Sequence, residues 1–102
     1  MEIKKIAGDS FQTEVTEAGV PVLLDFYADW CGPCQMMGPV VEEISNEVTD
    51  AKVCKVNIDE EMAIAQKYGV MSIPTFVVIK NGEVTARDMG AKPKSAVLEM
   101  LK

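Results

Sequence analysis

Residues 21–28, Pro-Val-Leu-Leu-Asp-Phe-Tyr-Ala, form a nearly unbroken apolar run, too short for a helix and rich in strand-forming side chains. A strand without polar alternation must be covered on both faces, as in the middle of a parallel or mixed sheet flanked by helices. The run therefore predicts a central strand of an α/β sheet. One charge, Asp25, interrupts it. Burial among these neighbours would raise the pKa of that carboxyl. On the pattern alone, an aspartate turned to solvent at a strand end stands equally beside that reading.

Directly after the run comes Trp30-Cys-Gly-Pro-Cys34, and then the periodicity changes. Met37, Val41, Ile44 and Val48 recur on one face of a helix running from Cys34 to Val48. Pro39 lies inside that helix and predicts a kink near its first turns. Upstream, Glu2–Ile6 reads as a short edge strand. Asp9 with Gln12 resembles a capping box for a helix that faces inward through Phe11, Val15 and Ala18 and stops at Gly19. Downstream, Lys52–Asp59 is a second strand, with Asp59 as cap of a helix whose first turn carries Glu60 and Glu61 and which ends at Tyr68-Gly69. Thr75–Lys80 and Glu83–Arg87 flank Asn81-Gly82, a strong hairpin signal. Pro93 opens a final helix with Val97, Leu98 and Leu101 inward. The order is β-α-β-α-β-α-β-β-α, an α/β fold with a mixed five-stranded sheet flanked by four helices. With 102 residues, 48% of them apolar, and no repeat or linker, one compact domain over residues 1–102 is expected.

A net charge of −6 with no Lys/Arg cluster argues against nucleic acid and against an anionic membrane surface. No apolar run approaches the roughly 20 residues of a membrane-spanning helix. The opening Met-Glu-Ile-Lys-Lys lacks a secretory pattern, so a cytoplasmic protein is expected. Three cysteines are too few and too odd in number for a secreted disulfide scaffold, and a thiol pair in a reducing compartment is more often catalytic or metal-binding.

The pair Cys31 and Cys34 sits where a buried strand's carboxyl end meets a helix amino end, a favoured place for reaction sites in α/β sheets. Unpaired N–H groups and the helix dipole would stabilise a thiolate at Cys31. Cys34, a turn deeper, would be the recessed partner of an exposed Cys31. Gly32 lets the turn form, and Pro33 sets φ where its missing N–H costs nothing. Redox chemistry is the favoured reading. Two alternatives remain open on the residues alone: half of a zinc site, for which the chain offers only Cys54 and no histidine beyond the pair, or two small hydrophobes.

Residues 25–34, Asp-Phe-Tyr-Ala-Asp-Trp-Cys-Gly-Pro-Cys, resemble the active-site signature of the thioredoxin family. The resemblance extends through Lys55-Val-Asn-Ile-Asp59, Tyr68-Gly69-Val70, Ile73-Pro74-Thr75, Lys80-Asn-Gly-Glu83 and Gly90-Ala91, in the family's order and over nearly the whole chain. It implies the thioredoxin fold and a protein-disulfide reductase. Cys31 would attack a substrate disulfide, and Cys34 would resolve the mixed disulfide. A thioredoxin reductase would restore the dithiol. It implies no metal and no organic cofactor, a monomer, and diverse disulfide-containing protein substrates. By the same resemblance Asp25 is the candidate base for Cys34 and Lys55 its ion partner. Pro74 would be cis and packed against the thiols. Trp30, Gly32, Pro33, Ile73, Pro74, Met89, Gly90 and Ala91 would form the apolar docking patch. Without the resemblance, Lys55 reads as a surface lysine, Pro74 as a strand-entry proline, Trp30 as a partly buried core aromatic and Gly90 as a turn glycine.

Of the seven methionines, Met71 and Met89 are candidate contacts, and the others, including Met36 and Met37, read mainly as core fillers. Two positions depart from the commonest family pattern: Tyr27, where many members carry tryptophan, and Gln35, where a basic residue is frequent. Losing that positive charge would slightly weaken thiolate stabilisation. Cys54 is expected buried and inert. An oxidase or isomerase of an exported compartment, a non-catalytic scaffold, and a metal site shared between two chains are the competing functions. Gly-Pro between the cysteines and the lack of a secretory signal favour the reductase.

Overall fold

The computed structural model describes residues 3–102. Five strands form one sheet: β1 (Lys4–Lys5), β2 (Val22–Tyr27), β3 (Lys52–Asn57), β4 (Thr75–Lys80) and β5 (Glu83–Met89). Their spatial order is β1-β3-β2-β4-β5. β3 runs parallel to both β1 and β2, whereas β4 is antiparallel to β2 and to β5. The expected mixed sheet is therefore present, with β2 at its centre. Glu2, the first residue of the expected edge strand, lies outside the described residues.

The alternation of side chains along β2 explains why it carries no polar face. Val22, Leu24 and Phe26 enter one core with Phe11, Val15, Cys54, Val56, Ile64 and Val77. Leu23 points the other way, into a second core with Met37, Val41, Ile44, Val53, Phe76 and Val97. That second core lies beneath α1 (Gly32–Glu47) and α3 (Lys94–Met100), while α2 (Met62–Lys67) and the N-terminal helical segment cover the first. α1 runs through Pro39 without interruption.

Three local expectations need correction. The segment after Asp9 is not a regular α-helix. A 3-10 turn over Gly8–Ser10 passes into a wide π-type turn over Gln12–Thr16, closed by the Glu17 N–H on the Gln12 carbonyl. Its N-cap is Ala7 and not Asp9, and the Ser10 hydroxyl reaches back to it, accepting from the Ala7 N–H and donating to the Ala7 carbonyl. The wider turn still sends Phe11 and Val15 into the core, which is what the apolar spacing recorded. Asp59 does not cap α2 either: the N-cap is Glu61, without a side-chain cap bond, and in the turn before it the Asn57 side chain accepts from the N–H groups of Asp59 (2.9 Å) and Glu60 (3.2 Å). Finally, Met36 and Met62 are exposed and not core fillers, whereas Met37 is buried.

The hairpin forms as expected, with Asn81 at φ 53° and Gly82 at φ 81°, the left-handed pair that a tight two-residue turn requires. β5 is a largely exposed edge carrying Glu83, Arg87 and Asp88, charges that discourage pairing with another sheet. Among the described residues no helix is long and apolar enough to cross a membrane.

Phe26 is fully buried at the centre of the sheet and touches the Tyr68 ring, 6.0 Å between centroids. Phe26→Ala should cost about 3–5 kcal/mol of stability through lost burial and the cavity left behind. Urea unfolding followed by far-UV circular dichroism measures this, and a loss below about 1 kcal/mol, which needs the site to collapse fully, would contradict it.

Candidate active site

β2 ends at Tyr27, a short turn follows, and α1 begins at Gly32 with Cys31 as its N-cap. An N-cap side chain normally offers oxygen to the free N–H groups of the first turn. Here a sulfur takes that place: the Cys34 N–H donates to Cys31 Sγ at 3.2 Å. Pro33 in the first turn has no N–H to satisfy. The two sulfurs are bonded to each other, with Cα atoms 5.2 Å apart. Negative charge left on Cys31 Sγ when this bond opens would meet the Cys34 N–H and the positive end of α1.

Exposure does not distinguish the sulfurs as expected. In the disulfide Cys31 is 4% exposed and Cys34 7%. Cys31 is covered because it packs with Ala28 and Ile73, its Sγ 3.8 Å from the Ile73 carbonyl oxygen. The asymmetry between the two thiols is thus electrostatic: only Cys31 occupies the cap.

The expected docking residues fall into two groups. Trp30 is 70% exposed, and Gly32, Pro33, Met89 and Ala91 are exposed with it. Ile73 and Gly90 are half-buried. Pro74, expected in the exposed patch, is buried beneath it; the Ile73–Pro74 bond is cis, and the Pro74 carbonyl accepts from the Gly90 N–H at 2.8 Å. That bond, with the Thr75–Met89 register, brings the Met89–Ala91 turn beside Ile73 and so beside Cys31. Met71 is 95% exposed.

Two residues that shape this surface escaped the sequence reading. Asp59, read as a helix cap, holds Trp30 instead: the indole Nε1–H donates to Asp59 Oδ2 at 2.9 Å. Lys92, with a largely buried side chain, donates to the carbonyls of Met89 (3.0 Å) and Gly90 (2.9 Å) and approaches Asp88 at 3.4 Å. Neither contact has a local sequence signal, because each joins segments whose proximity only the folded sheet or the Gly90 turn creates.

Asp25 lies on the α1 side of β2, in alternation with Leu23. It is 2% exposed, and its Oδ1 has no hydrogen-bond partner. Burial pushes its pKa up to about 6, and the positive charge of Lys55 only partly opposes this. The solvent-facing alternative for Asp25 is therefore excluded. Lys55 is the register neighbour of Asp25 on β3, yet the two make no ion pair within 4 Å among the described residues. Its ammonium instead sits 4.3 Å from the Tyr27 ring centroid, a cation–π contact, and influences Asp25 from there. Cys54 is fully buried, and burial holds its thiol up at about 11, so it carries little thiolate. Among the described residues no three His, Cys, Asp or Glu side chains are grouped to hold a metal ion.

The thioredoxin family model matches residues 2–102. The chain is 50% identical over 102 residues to a thioredoxin of Bacillus subtilis (strain 168), covering 99% of this chain and 96% of that one. It is 46% identical over 96 residues to a thioredoxin of Streptomyces clavuligerus, covering 94% and 90%. The solved structure of a single-residue mutant of the thioredoxin from Halobacterium salinarum NRC-1 superposes with a TM-score of 0.90 at 41% identity, over 98% of this chain and 88% of that one.

The buried carboxyl makes stability depend on pH in a defined direction. Asp25 titrates near 6 when folded and near 3.8 when unfolded, so between those values the native state holds the extra proton and stability falls as pH rises. Asp25→Asn should therefore be more stable than the parent above pH 6, by on the order of 3 kcal/mol. The difference should shrink as pH falls toward 4. Paired urea titrations at about pH 7.5 and pH 4 measure it; an equal difference at both would refute a titrating Asp25.

Proposed function

The chain belongs to the thioredoxin family, and from that premise we propose that Cys31 is its attacking sulfur, Cys34 its resolving sulfur and Asp25 the base that serves the second step. The family's chemistry is protein-disulfide exchange through the protein's own cysteine pair, with disulfide substrates on one side and a reductase on the other. The observation that carries the division of roles is the Cys34 N–H on Cys31 Sγ, which favours charge on Cys31 alone.

In the first step the Cys31 thiolate attacks one sulfur of a substrate disulfide. A Cys31–substrate S–S bond forms, the substrate's own S–S bond breaks, and the departing substrate thiolate takes up a proton. In the second step Cys34 gives its proton to the Asp25 carboxylate and attacks Cys31 Sγ. The mixed disulfide breaks, the second substrate thiolate leaves, and the Cys31–Cys34 bond forms. A carboxyl titrating near 6 is mostly ionised at neutral pH, so it is available to accept that proton. Its unpartnered Oδ1 leaves it the capacity to do so.

Trp30, Gly32, Pro33, Ile73, Met89, Gly90 and Ala91 supply the surrounding docking surface, with Pro74 as its buried support. A patch of exposed backbone and small or apolar side chains suits many unrelated substrates, because main-chain pairing does not depend on their sequence. The working setting is the cytoplasm, the working form a monomer, and the electron donor a thioredoxin reductase.

Catalytic amounts of the protein should accelerate dithiothreitol-driven reduction of insulin, and Cys31→Ser should return the rate to the blank. No acceleration by the parent protein would sink the proposal. Cys34→Ser should accumulate mixed disulfides through Cys31, visible on non-reducing gels. Asp25→Asn should slow the resolving step about 100-fold near pH 7 while leaving the first attack within about threefold. Single-turnover quench with a fluorescent mixed-disulfide substrate separates the steps, and equal slowing of both would remove Asp25 from its role.

A further inference from the structure

The backbone groups of the Met89–Ala91 turn are unevenly engaged. The Gly90 N–H donates to the Pro74 carbonyl, and the carbonyls of Met89 and Gly90 both accept from the Lys92 ammonium, at 3.0 and 2.9 Å. Among the described residues neither the N–H nor the carbonyl of Ala91 has a hydrogen-bond partner, and Ala91 is exposed. The carbonyl and the N–H of a trans peptide point in opposite directions, so a Gly90 carbonyl fixed on the ammonium turns the Ala91 N–H away from Lys92.

One buried charge enforces that division. The Lys92 side chain is 9% exposed, approaches Asp88 Oδ2 at 3.4 Å and lies over the Phe76 ring, 5.7 Å from Nζ to the centroid. Three oxygens thus surround an ammonium with three donors, which is what a charge removed from water requires. A methionine of similar length would cover Phe76 without needing acceptors. Packing therefore accounts for the stem of Lys92 and not for its charge.

We propose that Lys92 is a positioning residue for protein substrates: it takes up the Met89 and Gly90 carbonyls and leaves the Ala91 main chain, held in one direction, open to a partner's backbone. This role rests on the disulfide exchange and docking surface proposed above. It adds a determinant of substrate affinity that takes no part in the thiol steps. A turn already fixed loses little conformational freedom when an extended partner docks on it. A small dithiol has no main chain to pair and gains nothing from the brace.

Lys92→Met keeps the stem and removes the donors. With insulin varied in the dithiothreitol-driven assay, Lys92→Met should raise the apparent KM about fivefold or more and leave kcat within about twofold. Reduction of its Cys31–Cys34 disulfide by dithiothreitol alone, followed by Trp30 fluorescence, should stay within about twofold of the parent rate. Asp88→Asn retains an acceptor for the Met89 N–H and both carbonyl bonds to Lys92, so its KM should stay within about twofold of the parent value. In the wild-type protein, amide exchange by NMR should be at least about tenfold slower at Gly90 than at Ala91. An unchanged KM in Lys92→Met, a loss confined to kcat, or slower reduction by dithiothreitol would overturn the role. So would an Asp88→Asn variant as weak as Lys92→Met, or an Ala91 amide as protected as that of Gly90. The wild-type exchange comparison needs no variant and decides the matter even if Lys92→Met does not fold. Insulin reduction by the parent protein is a separate measurement, so the brace can fail while the assigned roles of the cysteine pair stand.

Discussion

β2 is hydrogen-bonded along both edges and packed on both faces, and the other elements are arranged around that confinement. A strand so enclosed has one place to deliver chemistry, its carboxyl end, where the chain leaves the sheet and α1 starts. The turn between them puts a cysteine at the helix cap, where the backbone's own free N–H groups are aimed. No charged side chain is needed to distinguish Cys31 from Cys34. The backbone contact at Cys31 does not involve the side chain at position 35.

The same enclosure makes Asp25 expensive and useful. A carboxylate in the middle of a buried strand loses its water, and Lys55 stands too far off to replace it with an ion pair. Evolution could have placed an apolar residue there at a gain in stability. What the buried carboxyl supplies instead is a titration close to neutrality, beneath the helix that carries the second thiol. Lys55 tempers that shift from its position over Tyr27, so a change on the Tyr27 ring would reach Asp25 indirectly through the lysine.

Around the thiols, polar contacts hold an otherwise apolar surface in shape. Asp59 fixes the tryptophan, Lys92 ties down the carbonyls of the Met89–Gly90 turn, and the Pro74 carbonyl holds the Gly90 N–H. Apolar contact alone is nondirectional. A flat patch that must present backbone to a partner therefore needs directional bonds behind it.

Much of this was legible in the chain. Unbroken apolar strands, helical spacing after Cys34, the Asn81-Gly82 turn and the cysteine pair between strand and helix are local patterns, and local patterns follow from backbone geometry and burial that each segment carries with it. Where two local readings competed, the sequence could not choose. Asp9 and Asp59 both look like caps, yet Ala7 and Glu61 stand at the cap positions, and Ser10 and Asn57 make the neighbouring side-chain bonds. The sequence by itself determined the α/β class, the central strand and the position of the reactive pair. Only the tertiary structure decided that Cys31 is covered, that Pro74 supports the patch from below, that Lys55 faces a ring and not a carboxylate, and that Asp59 and Lys92 brace the surface. Those outcomes depend on which segments meet across the sheet or fold back at a turn, and a pairwise contact between distant segments leaves no periodicity in either of them.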